Sequence, residues 1–378
     1  MEQGTQVLVA GDGPAGGALA LALARRGVAV ALAGPGRHHG PRPLALSRAA
    51  VRLLARLDVW APAAATPLQA VRLAAGGWSS RIGEGAPLGA VVRADTLAGL
   101  LDAALERAGV ERLRAPVRRL RRGPDGVEAE VGGARVRARL VVGADGADST
   151  VRALAGIGTR EADYGQSALV TLLAPRRPHD GVVEERFTPR GPLVLLPCGE
   201  ALGLVWLLPR EAARNLAGSD PAALAAALAA AAGEPPGRPL APAQAVPLRL
   251  VRARTLVHHR LALAGGAACT LHPLGAQGLN LGLRDVAALA PLVAEAVATG
   301  GDPGGWPVLE AYARARREDH RRTAAFTDLA ARALAGGSPL RPLAARLAAL
   351  LGWVPPLRRA VLAHGGGEAA YQPDPEAV

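Results

Sequence analysis

The sequence predicts an α/β fold in three parts: a nucleotide-binding domain assembled from separated segments, an inserted β-sheet domain and a C-terminal helical region. Three observations predict it. Short apolar strands end in glycine-containing turns near residues 11, 145 and 265, strand-like runs with turn residues lie between the second and third turns, and Ala- and Leu-rich helical segments follow. A chain of 378 residues that is 50% hydrophobic can bury such layers around a continuous core.

The first turn follows an apolar strand from Gln6 to Ala10 and reads Gly-Asp-Gly-Pro-Ala-Gly at residues 11–16. In this Rossmann-like fingerprint the first glycine permits the tight turn, the second admits a pyrophosphate, and the third lets the helix pack on the strand. A helical run and a second strand at 28–33 follow in the expected order. The segment therefore predicts a dinucleotide-binding turn.

One part of this fingerprint is missing. The carboxylate that holds the adenosine ribose is expected at the end of the second strand, where the sequence has Gly34 flanked by Ala33 and Pro35. Either the backbone or water serves the ribose, or the dinucleotide is bound less tightly.

The second turn ends a buried strand at 140–143 and contains Asp145. A carboxylate at the carboxyl end of a strand can accept a hydrogen bond from a ribityl or ribose hydroxyl. Ser149 is positioned to cap the helix that carries Arg152. Taken alone, the segment fits a capped turn without a ligand equally well.

The third turn, at 265–289, is a glycine-punctuated loop that leads into a helix beginning near Leu279. Gly275, Gly278 and Gly282 allow close approach of the backbone, and the helix N-terminus favours negative charge. The alternative is an ordinary strand-loop-helix corner with glycines for packing. The two other turns favour the ligand-binding interpretation.

These three turns, in this order, resemble those of the flavin-dependent aromatic hydroxylases. Within them the chain is most similar to the ubiquinone-biosynthesis type, the polyprenyl-methoxyphenol hydroxylases, whose third motif carries a similar Leu-His-Pro and Gln-Gly-Leu-Asn-Leu-Gly-Leu-Arg-Asp. Here these are Leu271 to Pro273 and Gln277 to Asp285. The segment from Arg42 to Leu46 is also similar, and the resemblance extends to about His364.

The resemblance implies an FAD-dependent monooxygenase in which NAD(P)H reduces FAD and dioxygen then supplies the oxygen that hydroxylates a phenolic ring. It places FAD on Gly11, Gly13, Pro14, Ala15, Gly16, Arg42, Arg93, Asp145, Gly266, Pro273, Gly275, Gln277, Gly278, Leu279 and Asn280. Substrate contacts are expected from the inserted sheet, first at Pro197, Val205 and Trp206. No residue is assigned with certainty to catalysis, because the flavin carries the chemistry; His272 is expected to orient backbone rather than to transfer a proton.

The domain boundaries follow from the same order of segments. We expect the FAD-binding domain to comprise residues 1–66, 92–163 and 251–301, and the substrate-binding sheet domain to comprise 67–91 and 164–250. A C-terminal helical region is expected at 302–364 and a disordered tail at 365–378.

A second departure from the family lies at Gly266, where many members carry an aspartate. With Gly34, two polar contacts to FAD are then absent, and if each contributes roughly 1–2 kcal/mol the affinity falls by about 30-fold to 1,000-fold. We expect FAD to bind but to be partly lost on purification, which titration of the apo-protein with FAD tests.

Two other functions remain open at this point. The chain could be a catalytically weak flavoprotein-like subunit of a quinone-synthesis complex, or an aromatic hydroxylase of a pigment or antibiotic pathway. The substrate with its ring position, the choice between NADH and NADPH, and the oligomeric state are not predicted. The expected substrate is a lipophilic phenol, most simply a polyprenylated ubiquinone precursor.

Composition argues against other classes of protein. The formal charge is +12, but all 44 basic residues are arginines scattered along the chain and aromatic residues make up 3%, which is too few for a nucleic-acid stacking platform. A basic face also suits an anionic membrane surface, so a cytoplasmic protein that binds peripherally at the inner face of the membrane is expected.

Cysteines and histidines indicate neither a disulfide framework nor a metal site. Cys198 and Cys269 are far apart and fit a reducing compartment. The adjacent histidines at 38–39 and 258–259 lack partners at ligand spacing, so no metal is expected. No secretory leader or membrane-spanning run is recognised.

Overall fold

The computed structural model describes residues 3–36, 40, 42–83, 85–335 and 338–350. The expected tail at 365–378, the last part of the expected helical region and the histidines at 38–39 lie outside these residues. The predicted α/β architecture with C-terminal helices is confirmed.

Helices separate runs of one to four strands in the first half of the chain, and helices form its last described part. The described α-helices are α1 (Pro14–Ala24), α2 (Arg48–Arg56), α3 (Ala94–Arg107), α4 (Thr150–Leu154), α5 (Arg210–Ala217), α6 (Pro221–Ala232), α7 (Gln277–Ala298), α8 (Trp306–Leu334) and α9 (Arg341–Leu350). The described strands are β1 (Gln3–Ala10), β2 (Val30–Ala33), β3 (Pro43–Ser47), β4 (Ala65–Leu68), β5 (Ala70–Ala75), β6 (Trp78–Ile82), β7 (Gly89–Arg93), β8 (Glu111–Leu113), β9 (Val117–Arg122), β10 (Val127–Val131), β11 (Ala134–Gly143), β12 (Thr159–Pro175), β13 (Val182–Thr188), β14 (Gly191–Cys198), β15 (Ala201–Pro209), β16 (Gly237–Pro239), β17 (Gln244–Ala253), β18 (Val257–His258), β19 (Leu261–Leu263) and β20 (Cys269–Thr270).

The first sheet carries the three glycine turns. Its strands follow the order β18-β19-β11-β1-β2-β8, and β1 runs parallel to both β2 and β11, as does β11 to β19. Parallel strands end at the same edge, so the turns after β1, β11 and β19 meet there although more than 250 residues separate the first from the last.

The second sheet has the order β20-β17-β12-β15-β14-β13-β5-β6, and the small third sheet has the order β3-β7-β4, with all three of its strands in contact with β14. The strand-like runs expected between the second and third turns are confirmed, and two of them form a hairpin: β14 and β15 pair antiparallel around Gly199, which has a positive φ of 63°. The residue boundaries proposed for the domains stay a prediction.

Helix α1 is buried on nearly all sides, from Gly16 to Leu23, which explains its uniformly apolar sequence. It begins at Pro14, inside the fingerprint, and ends at Ala24. Helix α6 is capped by the Asp220 carboxylate, which accepts from the Ala223 backbone N–H at 2.7 Å. Among the described helices, none is long and apolar enough to cross a bilayer.

A buried ion network joins α7 to α8. The Asp285 carboxylate, fully buried, accepts from the Gly265 N–H at 2.9 Å, from Arg316 Nε at 2.8 Å and lies 2.7 Å from His320 Nε2. Burial alone would raise the pKa of Asp285, but His320 and Arg316 hold this pKa below its usual value. Asp285 therefore fixes the start of the third turn against both helices.

Gly16 is required by packing, and a substitution tests this. A Cβ at Gly16 would lie 1.8 Å from the Gly11 carbonyl oxygen, whereas at the adjacent Gly17 the nearest atom is 3.6 Å away. We expect Gly16→Ala to lower the free energy of unfolding by about 3 kcal/mol or more, comparable to severe overpacking. Gly17→Ala is the matched control and should be neutral or stabilising. Urea denaturation measures both, and equal stability of the two variants would contradict the packing.

Candidate functional site

The three turns touch one another through backbone atoms. Gly11 has a φ of +118°, and a Cβ there would lie 2.3 Å from the carbonyl carbon of Ala144. A Cβ at Gly266 would lie 3.1 Å from the Gly146 Cα, and one at Gly265 would lie 3.1 Å from the Ala15 Cβ. The glycines thus bring all three turns to one place at the carboxyl edge of the first sheet.

The N-termini of α1 and α7 lie at this edge of the sheet, and no side chain caps them. The residues that precede α1 and α7, Gly13 and Ala276, form no side-chain cap, and Ala276 adopts a left-handed φ of 51°. A Cβ added to Gly13 or Gly278 would meet no atom within 4 Å. Free N–H groups, a helix dipole and open space are the properties of an anion site, and they fit a diphosphate or a negatively charged ring.

Asp145 lies at the second turn with one oxygen unused. Its Oδ2 accepts from the Val151 N–H at 3.1 Å, while Oδ1 is buried and has no partner among the described residues. Ser149 caps α4 as expected, and Arg152 donates to the carbonyls of Ala147 and Ala267, which ties the second turn to the third. A buried acceptor without a donor costs free energy unless a ligand hydroxyl fills it.

Asp12 is a residue of this site that the sequence reasoning passed over. Its Oδ2 accepts from the Gly36 N–H at 2.6 Å, and its Cγ lies 2.2 Å from where a Cβ at Gly34 would be. The Asp12 carboxylate thus occupies the space at the end of β2 from which an acidic side chain would otherwise project. The signal in the sequence was the pairing of an aspartate inside the fingerprint with a glycine at the end of β2.

Two side chains of the third turn form hydrogen bonds that fix its backbone. Asn280 Nδ2 donates to the carbonyls of Ala45 and Ala276, and its Oδ1 accepts from the Ser47 N–H at 2.9 Å. Gln277 Nε2 donates to the carbonyl of Gly275, which has a φ of +71°. These amides are committed to the protein, so the loop offers a ligand its backbone, including the groups around Pro273 and Leu279.

His272 is buried behind the same loop. Its Nδ1 accepts from the Leu274 N–H at 3.4 Å and its Nε2 lies 3.2 Å from Gln166 Oε1. Burial lowers the pKa of His272 to about 4, so the ring is neutral near pH 7. A neutral ring held at both nitrogens matches the expected orienting role.

Arg42 and Arg93 lie side by side at the edge of the third sheet. Arg42 is exposed and precedes β3, whose first residue, Pro43, pairs with Arg93 at the end of β7. Arg93 donates to both oxygens of Asp95, and this pairing raises the pKa of the guanidinium. Both arginines are placed where the third sheet meets the second, since β7 contacts β14.

The expected substrate residues separate onto two faces of the second sheet. Val205 lies on the face turned toward the third sheet, since a Cβ at its near neighbour Gly203 would lie 2.3 Å from Pro43 Cγ. Trp206 is fully buried on the opposite face, under α5 and α6, and Pro197 pairs with Leu202 of that same cluster. Because successive residues of a strand point to opposite faces of the sheet, Val205 stays a candidate substrate contact, whereas Trp206 and Pro197 lie on the other face.

Comparison with known proteins shows the family of this chain. The model of the FAD binding domain family matches residues 4–327. The chain is 36% identical over 393 aligned positions to the ubiquinone hydroxylase UbiL of Rhodospirillum rubrum, which covers 98% of this chain and 91% of that protein. It is 37% identical to the 3-demethoxyubiquinol 3-hydroxylase of Escherichia coli, over 84% of this chain and 87% of that one.

Solved structures share the fold. The chain superposes with a TM-score of 0.78 on PqsL, described as a probable FAD-dependent monooxygenase from Pseudomonas aeruginosa, at 21% identity over 90% of this chain and 99% of that one. Fold and site together define an FAD-dependent monooxygenase. The chain belongs to the FAD-binding family that contains the aromatic hydroxylases of ubiquinone biosynthesis.

Because Asp12 occupies the space beside Gly34, we expect that moving the carboxylate from residue 12 to residue 34 preserves FAD binding. We expect Asp12→Gly to weaken FAD binding by about 10-fold, the worth of a charge-assisted hydrogen bond, and Asp12→Gly/Gly34→Glu to recover most of it. The swap needs glycine at 12, because the Asp12 Cβ lies 2.5 Å from the Cβ position of residue 34. Flavin fluorescence titration of the apo-proteins measures the dissociation constants.

Two controls make the swap decisive. FAD with a deoxyribose in its adenosine half should bind the original protein more weakly than FAD does, and Asp12→Gly should lose this discrimination. Affinity for FAD within twofold of the original protein in Asp12→Gly would contradict a ribose contact from Asp12.

Proposed function

We propose that this chain hydroxylates a phenolic ring of a polyprenylated ubiquinone precursor. The observation that carries the proposal is the near full-length similarity to two ubiquinone-pathway hydroxylases. An apolar face of the second sheet, which packs against the loop from Pro273 to Asn280, here called the flavin loop, supports it. Bound FAD would supply the redox chemistry, with NAD(P)H as reductant and dioxygen as the oxygen source.

The residues proposed for FAD divide by the part they would hold. Gly13 and the N-terminus of α1 would receive the diphosphate, and Asp145 Oδ1 a ribityl or ribose hydroxyl. The backbone from Pro273 to Asn280, at the start of α7, would face the ring and favour the negative charge that reduction places on it. The remaining residues would contribute through the backbone path that they give to the turns: Pro14, Ala15, Gly16, Gly266 and Gly275.

The apolar face would exclude water from the reacting ring. Around Val205 it carries Leu207, Phe187 and Leu274, which belong to one buried cluster. Leu274 comes from the flavin loop itself, so the sheet and the loop enclose the same space. A lipophilic ring fits these walls, and exclusion of water protects an oxygenating flavin from wasteful decay.

We further propose that the protein meets its lipophilic substrate at an anionic membrane surface. A surface depression between β12, β17 and α8 is lined by arginines: Arg160, Arg252, Arg254, Arg317 and Arg321. Arg160 and Arg252 lie directly opposite each other on neighbouring strands, an arrangement that repels unless an anion is present. This supports peripheral binding to acidic lipids.

The substrate proposal predicts the quinone content of cells. A strain that lacks the gene for this chain should lose ubiquinone and accumulate a precursor that lacks one ring hydroxyl, and the gene supplied in trans should reverse both changes. Purified FAD-bound protein should oxidise NAD(P)H faster with a short-chain prenylated methoxyphenol and yield its hydroxylated product. Normal quinone content would contradict the substrate, and the metabolite that accumulates would reveal a pigment or antibiotic pathway. NAD(P)H oxidation without product would indicate a catalytically weak subunit.

The membrane proposal predicts lipid-dependent sedimentation. The protein should bind vesicles that contain phosphatidylglycerol and not vesicles of phosphatidylcholine alone. Each arginine near the surface contributes roughly 1 kcal/mol, so Arg252→Glu/Arg254→Glu should lower the binding at least about tenfold. Arg118→Glu/Arg119→Glu makes the same charge change on β9 and should have less effect. Equal loss in both variants would contradict a specific membrane-facing surface.

A further inference from the structure

Glu185 lies on the apolar face of the second sheet. Alternation along β13 places Glu185 on the same face as Val183 and Phe187, which are buried in the clusters against the third sheet and the flavin loop. Its neighbours point the other way: Arg186 donates to the Ala232 carbonyl at the end of α6 and to Glu184. Glu185 therefore faces the space that the proposed substrate would enter.

The side chains beside Glu185 are all apolar. In the sheet register it pairs with Val194 of β14 and with Leu73 of β5, and Val194 in turn pairs with Val205. One row across four strands thus reads Leu73, Glu185, Val194, Val205. A carboxylate among apolar side chains costs free energy unless it is paired or hydrogen-bonded.

Glu185 also lies between two clusters rather than inside either. Val183 packs with Leu68 and Val91 near the third sheet, while Phe187 belongs to the cluster of Leu274. Val71 and Val205 border both clusters and are only partly buried. Glu185 therefore lies at the boundary of these two clusters, beside Val71 and Val205.

No described residue forms a hydrogen bond or an ion pair with the Glu185 carboxyl. Burial raises the pKa of Glu185 to about 7, and no charged group contributes to this shift. The elements that cover this face carry the titratable side chains Cys198, Tyr164, His272, Asp328, Arg332, Arg341 and Arg346 among others. Tyr164 bonds Asp328, His272 bonds Gln166, and Arg341 donates to the Thr188 carbonyl.

We propose that Glu185 is a catalytic residue that binds the hydroxyl of the phenolic substrate and removes its proton. The phenolic O–H bond breaks, an O–H bond forms on the carboxylate, and the electron pair stays on the substrate oxygen, where it makes the ring more nucleophilic. After hydroxylation the proton returns to the product oxygen, so no other reactant is consumed. This role rests on the proposed function, because it requires a phenol in this space.

The pH profile and the bound substrate test the role together. A base that must be deprotonated gives a kcat/KM that rises with pH and levels off above about pH 7. Glu185→Gln should lower kcat about 100-fold or more, with a smaller change in KM, and should remove this inflection. Difference absorption spectra of the FAD-bound protein should show a polyfluorinated methoxyphenol, whose hydroxyl is about as acidic as the Glu185 carboxyl, bound with a larger phenolate fraction in the original protein than in Glu185→Gln.

Two comparisons separate this role from a structural one. Glu184→Gln, on the opposite face of the same strand, should keep activity and phenolate binding. A ring-fluorinated substrate, whose hydroxyl is more acidic, should restore turnover in Glu185→Gln. Phenolate bound equally in Glu185→Gln, or an unchanged pH profile, would overturn the role of Glu185. Absence of turnover in the original protein would instead contradict the proposed function, while the spectra would still report on Glu185.

Discussion

The site depends on the close approach of three backbone turns that are far apart in the sequence. Gly11 touches Ala144, Gly266 touches Gly146, and Gly265 touches Ala15 at separations that leave little or no room for a side chain. These contacts place two uncapped helix N-termini and a buried carboxylate oxygen in one volume. Without the glycines the strands could still pair, but no common cofactor site would form.

Charge and burial then hold this arrangement in place. Asp285, buried with Arg316 and His320, binds the first N–H of the third turn and fixes α7 to α8. Asp285 thus has several partners in the scaffold, whereas Asp145 Oδ1, at the second turn, is buried without a partner among the described residues. Unpartnered acceptors at a site, unlike paired ones, are available to a ligand.

The sequence predicted the fold class, the three turns and the hairpin of β14 and β15, because local periodicity and glycine spacing specify them. The sequence shows an aspartate inside the fingerprint and a glycine at the end of β2, but only the structure shows that Asp12 fills the space beside Gly34, since that contact joins the ends of two strands through a side chain. The sequence also could not show which face of the sheet each strand residue occupies. Adjacent residues such as Val205 and Trp206 point to opposite faces, and only the packed sheet shows which face meets the flavin loop.

The central claim is that the converging turns form one FAD site, and a crystal structure of the FAD-bound protein tests it most directly. The account predicts the diphosphate over Gly13 at the start of α1, a sugar hydroxyl within hydrogen-bond distance of Asp145 Oδ1, and the ring against the loop from Pro273 to Asn280. Electron density that places FAD away from these turns, or leaves Asp145 Oδ1 without a ligand donor, would contradict it.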